Sequence, residues 1–290
     1  MRILYPYNLR DKECGNRNKV DKSDAAKVEP TVQELTEIDI DSDYYNMGHY
    51  KRGTAIIFNH YKFDDYSLNK RDGTMKDGSD LESVLKNLKF DVTVYQDLKY
   101  GAIHDVLSEL SQANHSDSDC LLIAVLSHGD KGKVYAKDNA YPVDFLWNQF
   151  TGDKCITLAG KPKLFFIQAC RGDEVDDGVA VRSPVQADSK HQVYTVPAMA
   201  DFLVMYSTYD GYYSWRSPIT GSWFIQSLCS ELKEHARDKD LQTILTFVNR
   251  RMAIKYRSNV PGNYNMHAKK QIGTIVSTLT RLVHFHPPEK

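Results

Sequence analysis

The sequence predicts an α/β protein, a mostly parallel central sheet of about six strands with helices on both faces. Three observations carry that expectation. Leu164-Phe165-Phe166-Ile167 is apolar without a break, as a strand buried on both faces must be. Leu121-Leu122-Ile123-Ala124-Val125-Leu126 has the same form. Such runs alternate along the chain with segments whose apolar residues recur at helical spacing, the pattern of strands joined by crossover helices.

The elements follow in order. Thr54-Ala55-Ile56-Ile57-Phe58-Asn59 is the expected first strand, followed by the loop Asn69-Lys70-Arg71-Asp72-Gly73-Thr74. Ser79-Asp80-Leu81-Glu82 reads as a capping box opening a helix with Leu81, Val84, Leu85 and Leu88 on one face. Val92 and Val94 mark a second strand, and Ile103, Val106, Leu107 and Leu110 a second helix. The run towards His128 is the third strand, residues 133–136 a small hairpin, residues 143–150 a short helix, and the run to Cys170 the fourth strand. Residues 201–206 form a fifth strand. One helix follows from Trp223 to about His235, and another on Leu241, Ile244, Leu245 and Val248. After a loop over residues 257–265, residues 275–285 contain a final strand.

Two segments stand outside this alternation. Residues 1–40 are rich in Lys, Asp, Asn and Glu with no period, and read as a short disordered leader before a domain over residues 41–290. Residues 173–195 hold acidic residues, Gly, Ser and Pro with almost no period, an internal linker long for a compact domain and therefore functional or disordered.

Composition excludes several classes. The chain has 290 residues with 37 Lys+Arg against 38 Asp+Glu, so bulk charge points to neither nucleic acid nor membrane. No apolar run approaches the roughly 20 residues of a membrane span, and the N-terminal stretch has no apolar signal region. The five cysteines (Cys14, Cys120, Cys155, Cys170 and Cys229) are scattered, odd in number and without a CxxC pair. That pattern predicts free thiols in a reducing cytoplasm, with neither a disulfide framework nor a metal site.

The chemistry is expected where the two apolar runs stop. In an open α/β sheet the functional crevice lies at the carboxyl ends of the strands. One run ends in Gln168-Ala169-Cys170-Arg171-Gly172, the other in Ser127-His128-Gly129. A free cysteine is usually inert and buried, and a lone histidine usually belongs to the core or surface. Two such residues, each at a strand end beside a glycine, are harder to dismiss. A thiol of ordinary pKa needs a base at neutral pH, and an imidazole can take its proton and later protonate a leaving amine. A glycine beside each partner lets backbone N–H groups approach a substrate oxygen.

Those motifs resemble the caspases. Gln168-Ala169-Cys170-Arg171-Gly172 matches the signature of that family, with its histidine upstream in Ser127-His128-Gly129. Lys161-Pro162-Lys163-Leu164-Phe165, Gly211-Tyr212-Tyr213-Ser214-Trp215-Arg216, Gly221-Ser222-Trp223-Phe224-Ile225-Gln226-Ser227-Leu228-Cys229 and His267-Ala268-Lys269-Lys270-Gln271 resemble further executioner-caspase motifs. The match runs from about Tyr44 to Phe285 in order, and its details look most like the insect executioner caspases.

The resemblance implies a caspase-like fold and a cysteine endopeptidase of apoptosis that cuts after aspartate, without a cofactor. It implies Cys170 as nucleophile, His128 as general acid/base, and the N–H groups of Gly129 and Cys170 as oxyanion hole, with a backbone carbonyl near Asn69 facing the histidine. Arg71, Gln168 and Arg216 match the residues that bind the P1 aspartate, where a guanidinium fork meets a carboxylate as lysine cannot. Tyr213, Ser214, Trp215 and Met266 match the neighbouring pockets, Met266 replacing an aromatic. Trp223 matches the S4 wall, and Ser217 stands where a longer polar side chain often meets a P4 aspartate.

The resemblance also implies a zymogen with residues 1–40 as prodomain, cut after Asp24; in the linker its own specificity leaves Asp173, Asp176, Asp177 and Asp188, of which Asp188, mid-linker and followed by the small Ser189, is the expected site. A large subunit would end there and a small one begin at Ser189. Its implied partners are exposed aspartate-containing loops of protein substrates, a second copy in a homodimer, an upstream initiator caspase and an inhibitor-of-apoptosis protein. Two other readings compete. A caspase-like pseudoenzyme acting as a binding partner would be favoured by loss of the Cys, His or Arg residues, all of which are present. A related Cys/His protease cutting after basic or Asn residues is disfavoured by arginines that would repel a basic P1 side chain.

Overall fold

The two unbroken apolar runs lie side by side at the centre of a six-stranded sheet. The structure, a computed structural model, describes residues 41–176 and 198–286. The leader 1–40 with Asp24 and Cys14, and residues 177–197 with Asp188, lie outside the described residues.

In chain order come β1 (Thr54–Asn59), α1 (Thr74–Asn87), β2 (Asp91–Gln96), α2 (Tyr100–Gln112) and β3 (Leu121–Leu126). A small antiparallel sheet follows, β4 (Gly129–Asp130), β5 (Lys133–Tyr135) and β6 (Ala140–Pro142). Then come β7 (Lys163–Gln168), β8 (Phe202–Tyr206), the hairpin β9 (Arg216–Ser217) and β10 (Gly221–Ser222), α3 (Trp223–His235), α4 (Leu241–Lys255) and β11 (Thr274–Ser277). The main sheet is ordered β11-β8-β7-β3-β1-β2, parallel except for β11 against β8.

The central strands are buried along their whole length because both faces are covered, which is why they read as continuous apolar runs. Alternate residues serve alternate cores. Leu122, Ala124, Leu126, Leu164 and Phe166 pack with α1, α3 and α4, through side chains such as Leu81, Leu228 and Leu245. Leu121, Ile123, Val125, Phe165 and Ile167 pack on the other face with Ile103 and Leu107 of α2 and with Tyr141 and Leu146 beside it. Each such side chain contributes roughly 1.5–3 kcal/mol on burial, so the strands that carry the site are also the hardest to displace.

Three local expectations are corrected. Helix α1 begins at Thr74, five residues before the supposed capping box, and Ser79 Oγ instead donates to the Lys76 carbonyl inside the helix. Its first turn carries exposed Met75 and Lys76, so no apolar period announces it; a tertiary contact of Asp77 holds it. The final strand expected within residues 275–285 is β11, which ends at Ser277; beyond it Leu282 makes an isolated bridge to Tyr44. Residues 143–150 contain only a 3₁₀ turn, Val143–Leu146, and the hairpin at 133–136 is part of three strands. No helix among the described residues is long and apolar enough to cross a membrane.

Candidate active site

Parallel pairing places the strand ends together. Leu126 lies opposite Gln168, so Ser127-His128 and Ala169-Cys170 leave the same edge on neighbouring strands. Asn59 lies opposite Leu126 on the other side, and the 59–74 loop rises beside them. Gly129 is needed for this approach. A Cβ there would stand 2.5 Å from the Cys170 carbonyl oxygen and 2.8 Å from Ala169 Cβ, closer than atoms can pack.

Of the four described cysteines, all free, only Cys170 is partly exposed. The others are inert for a physical reason: burial pushes the Cys229 thiol up to about 12 and also raises those of Cys120 and Cys155. The Cys170 thiol faces the backbone of Ser214, whose N–H donates to Sγ at 3.5 Å. Burial raises its pKa, against the opposing pull of that N–H and of Arg71 and Arg216. His128 Nε2 lies 2.8 Å from the Asn69 carbonyl oxygen. A carbonyl only accepts, so Nε2 carries the proton and Nδ1 keeps the lone pair. The ring packs against Phe63, centroids 4.9 Å apart. Burial lowers its pKa to about 4, although the Asn69 contact opposes the shift and the two arginines add to it.

Beside this pair lies a guanidinium site. Arg71 is 0 % exposed. Its Nη1 donates to the His60 carbonyl at 2.9 Å and to Thr74 Oγ1 at 2.6 Å, while buried Nε and Nη2 have no partner among the described residues. Thr74 is in turn held by Asn59. Arg216 donates through Nε to the Asp72 carbonyl at 2.7 Å, which leaves both its terminal nitrogens. Burial pulls the Arg71 pKa down to about 9 with Arg216 as the next cause, and burial lowers that of Arg216 as well. Among the described residues neither forms an ion pair. Two neighbouring cations with unused donors are an anion site. Gln168 closes it, its Nε2 on Ser214 Oγ at 2.9 Å and its buried Oε1 unpartnered.

The aromatic residues singled out from the sequence form a ladder. Tyr213 meets Trp215 at 5.1 Å, Trp215 stacks on Trp223 at 5.6 Å, and Trp223 stacks on Tyr256 at 5.3 Å. Met266 comes from the loop before β11, half-buried, its carbonyl accepting from Ser258 Oγ. Ser217 Oγ is occupied by the N–H groups of Ile219 and Thr220 in its own hairpin turn. Sequence reasoning missed Tyr256, Phe63, His60, Asn59 and Gln271. Gln271 accepts from the Trp215 N–H at 2.7 Å and donates to the Ser207 carbonyl at 2.7 Å, pinning the segment that faces Cys170. The one local signal among these was Asn59, a polar residue ending an apolar strand.

Fold and site together define an α/β protein with a cysteine–histidine pair and an anion pocket at the carboxyl edge of its sheet. The Caspase domain family model matches residues 52–284, and the chain belongs to the caspase family. It is 49% identical over 248 residues to Caspase-1 of Spodoptera frugiperda, covering 86% of this chain and 83% of that protein. It is 49% identical over 243 residues to Caspase drICE of Drosophila melanogaster, covering 83% and 72%. The crystal structure of Caspase-1 from Spodoptera frugiperda superposes with a TM-score of 0.82 at 48% identity, over 88% of this chain and 99% of that one. The protein is a cysteine endopeptidase that cleaves after aspartate, with the caspase role in apoptosis.

Proposed function

We propose that Cys170 is the nucleophile and His128 the general acid/base of an executioner caspase made as a zymogen. The observation that carries the reading is the fully buried Arg71, with two guanidinium nitrogens unpartnered among the described residues, beside Arg216 and next to the partly exposed thiol. Cleavage of short peptides differing only at P1 tests it: turnover with Asp and none with Lys or Asn is expected, and no turnover at all would favour the pseudoenzyme.

Sγ attacks the scissile carbonyl carbon as its proton passes to Nδ1 of His128. The oxyanion accepts from the N–H groups of Gly129 and Cys170. The imidazolium then protonates the departing amine, and water, deprotonated by His128, hydrolyses the thioester. The P1 carboxylate takes the free donors of Arg71 and Arg216. Gln168 can join only with its amide turned so that Nε2 faces the carboxylate and Oε1 accepts from Ser214 Oγ. Tyr213, Trp215, Trp223 and Met266 line the pockets for the preceding residues, Ser214 presents its backbone beside the thiol, and Ser217 sits near P4.

The resting pair is neutral on this reading, because burial raises the thiol and lowers the imidazole. The thiolate is the reactive form, so alkylation of Cys170 by iodoacetamide is expected to accelerate about tenfold per pH unit through neutrality. A plateau below pH 7 would mean a thiolate–imidazolium pair.

Activation is read as a cut after Asp188, giving a large subunit to that residue and a small one from Ser189. Support comes from the start of the linker. The Asp176 carbonyl accepts from the Lys270 N–H, and Glu174 is bridged to Tyr212, so a cut after Asp176 would need this pairing undone. Asp188→Ala should stay uncut there and nearly inactive, and mass spectrometry of the processed wild type should find a chain starting at Ser189. Another start, or full activity of the uncut variant, would refute the site. The same reading has an initiator caspase make that cut in the cytoplasm. Removal of a prodomain after Asp24 would expose Ala25 to an inhibitor-of-apoptosis protein. Strand β11 is the edge of the sheet, its Val276 half-exposed, which suits a homodimer continuing the sheet across a two-fold axis.

A further inference from the structure

Arg216 hangs from a hairpin of two-residue strands, β9 and β10, too short to keep its own shape. Segment 71–77 holds it. Arg216 Nε donates to the Asp72 carbonyl at 2.7 Å. Gly73 packs so closely that a Cβ there would lie 2.3 Å from the Ser217 carbonyl oxygen. The tie with the most chemistry is Asp77, 0 % exposed in the first turn of α1. Both its carboxylate oxygens stand 2.9 Å from the Ser222 backbone nitrogen, and Oδ1 also accepts from Gln226 Nε2 at 3.2 Å. A Cβ on Gly221, whose φ is +90°, would stand 2.2 Å from Oδ1, so the glycine is what admits the carboxylate. Ser222 is the residue opposite Arg216 in the hairpin register, and it also caps α3.

Burying a carboxylate is costly, and burial pushes Asp77 up to about 6 against the pull of its partners and Arg71. Asp77 in turn acts on both guanidiniums of the anion site. A neutral acceptor would hold the hairpin at less cost, so the charge points to the arginines.

We propose that Asp77 is a positioning residue for aspartate recognition: by anchoring Ser222 it sets where the Arg216 guanidinium stands beside Arg71. The inference rests on the reading of these arginines as the P1 pocket. Asp77 acts through the hairpin and touches no substrate. Its two ends lie on opposite sides of residues 177–197, so after a cut there the link would join separate polypeptides.

The test compares wild type, Asp77→Asn and Arg216→Lys on peptides with Asp or Glu at P1, counting active enzyme by stoichiometric thiol labelling. Asparagine keeps the shape but turns an amide donor towards Ser222 or Gln226. Asp77→Asn is expected to raise KM for P1-Asp peptides about tenfold, with kcat per labelled thiol within about threefold, and to narrow the preference for Asp over Glu. A merely less folded variant would lose labelled thiol and keep wild-type KM and preference; that result overturns the proposal. If Arg216→Lys leaves Asp cleavage untouched, the pocket reading itself fails. If Arg216→Lys is crippled while Asp77→Asn behaves as wild type, the positioning role alone fails. Should Asp77→Asn not fold, Gln226→Met removes one donor to Oδ1 at similar length: a raised KM supports the proposal and a wild-type KM refutes it.

Discussion

Replacing Cys170 with alanine should abolish cleavage of aspartate-containing peptides while leaving the protein folded. The change removes one sulfur at a partly exposed strand end, where its recorded hydrogen bonds are two long contacts with the Ser214 backbone. The apolar core beneath is untouched, so the melting temperature should move little. Without the thiol there is no covalent intermediate, and a loss of about 10⁴-fold or more in kcat is expected, as for other nucleophile deletions. His128→Ala should lose about 10²–10⁴-fold, because the thiol must then ionise without an adjacent base. Steady-state turnover at matched purity and thermal melts are the measurements. Turnover by Cys170→Ala above background would remove the nucleophile assignment, and unfolding would show that the sulfur contributes more to structure than its contacts indicate.

The second large effect is expected at the arginines. Arg71→Lys keeps a positive charge but replaces a fork by a point. The native side chain uses Nη1 on His60 and Thr74 and keeps Nε and Nη2 free in a buried site. A lysine ammonium can satisfy the His60 carbonyl or reach the substrate, but cannot do both with bidentate geometry. A fall in kcat/KM of at least about tenfold, near 1.4 kcal/mol, follows for each of Arg71→Lys and Arg216→Lys. Arg71→Lys should show the larger loss, because its site is fully shielded from water that could bridge the gap. A variant that cleaves Asp peptides at the wild-type rate would show that its arginine does not bind P1.

Much of this site is legible in the chain itself. The unbroken runs ending in His128 and Cys170 announced two parallel buried strands, and parallel pairing brings their ends to one edge. Arg71 and Arg216 were legible as motif members that the resemblance brings to one carboxylate, but the complete burial of Arg71 was not. Helix α1 shows why local signals mislead. The Ser79–Glu82 box has the right residues for a cap, yet the start at Thr74 is held by Asp77 reaching Ser222, 145 residues along the chain. Phe63 against His128 and Gln271 against Trp215 are likewise contacts between distant segments, with no trace in local composition.

The sequence by itself determined the α/β alternation, the nucleophile and base candidates, and the family. These depend on residue type, short-range periodicity and motif order, all of which are properties of the linear chain. Tertiary structure alone decided the electrical state of the site. Whether a thiol or imidazole is charged depends on how much water its neighbours exclude, and burial here shifts the thiol up and the imidazole down. It also decided which donors are free. The fold occupies one nitrogen of Arg71 with His60 and Thr74 and leaves two buried without partners among the described residues, which is what suits it to receive an anion.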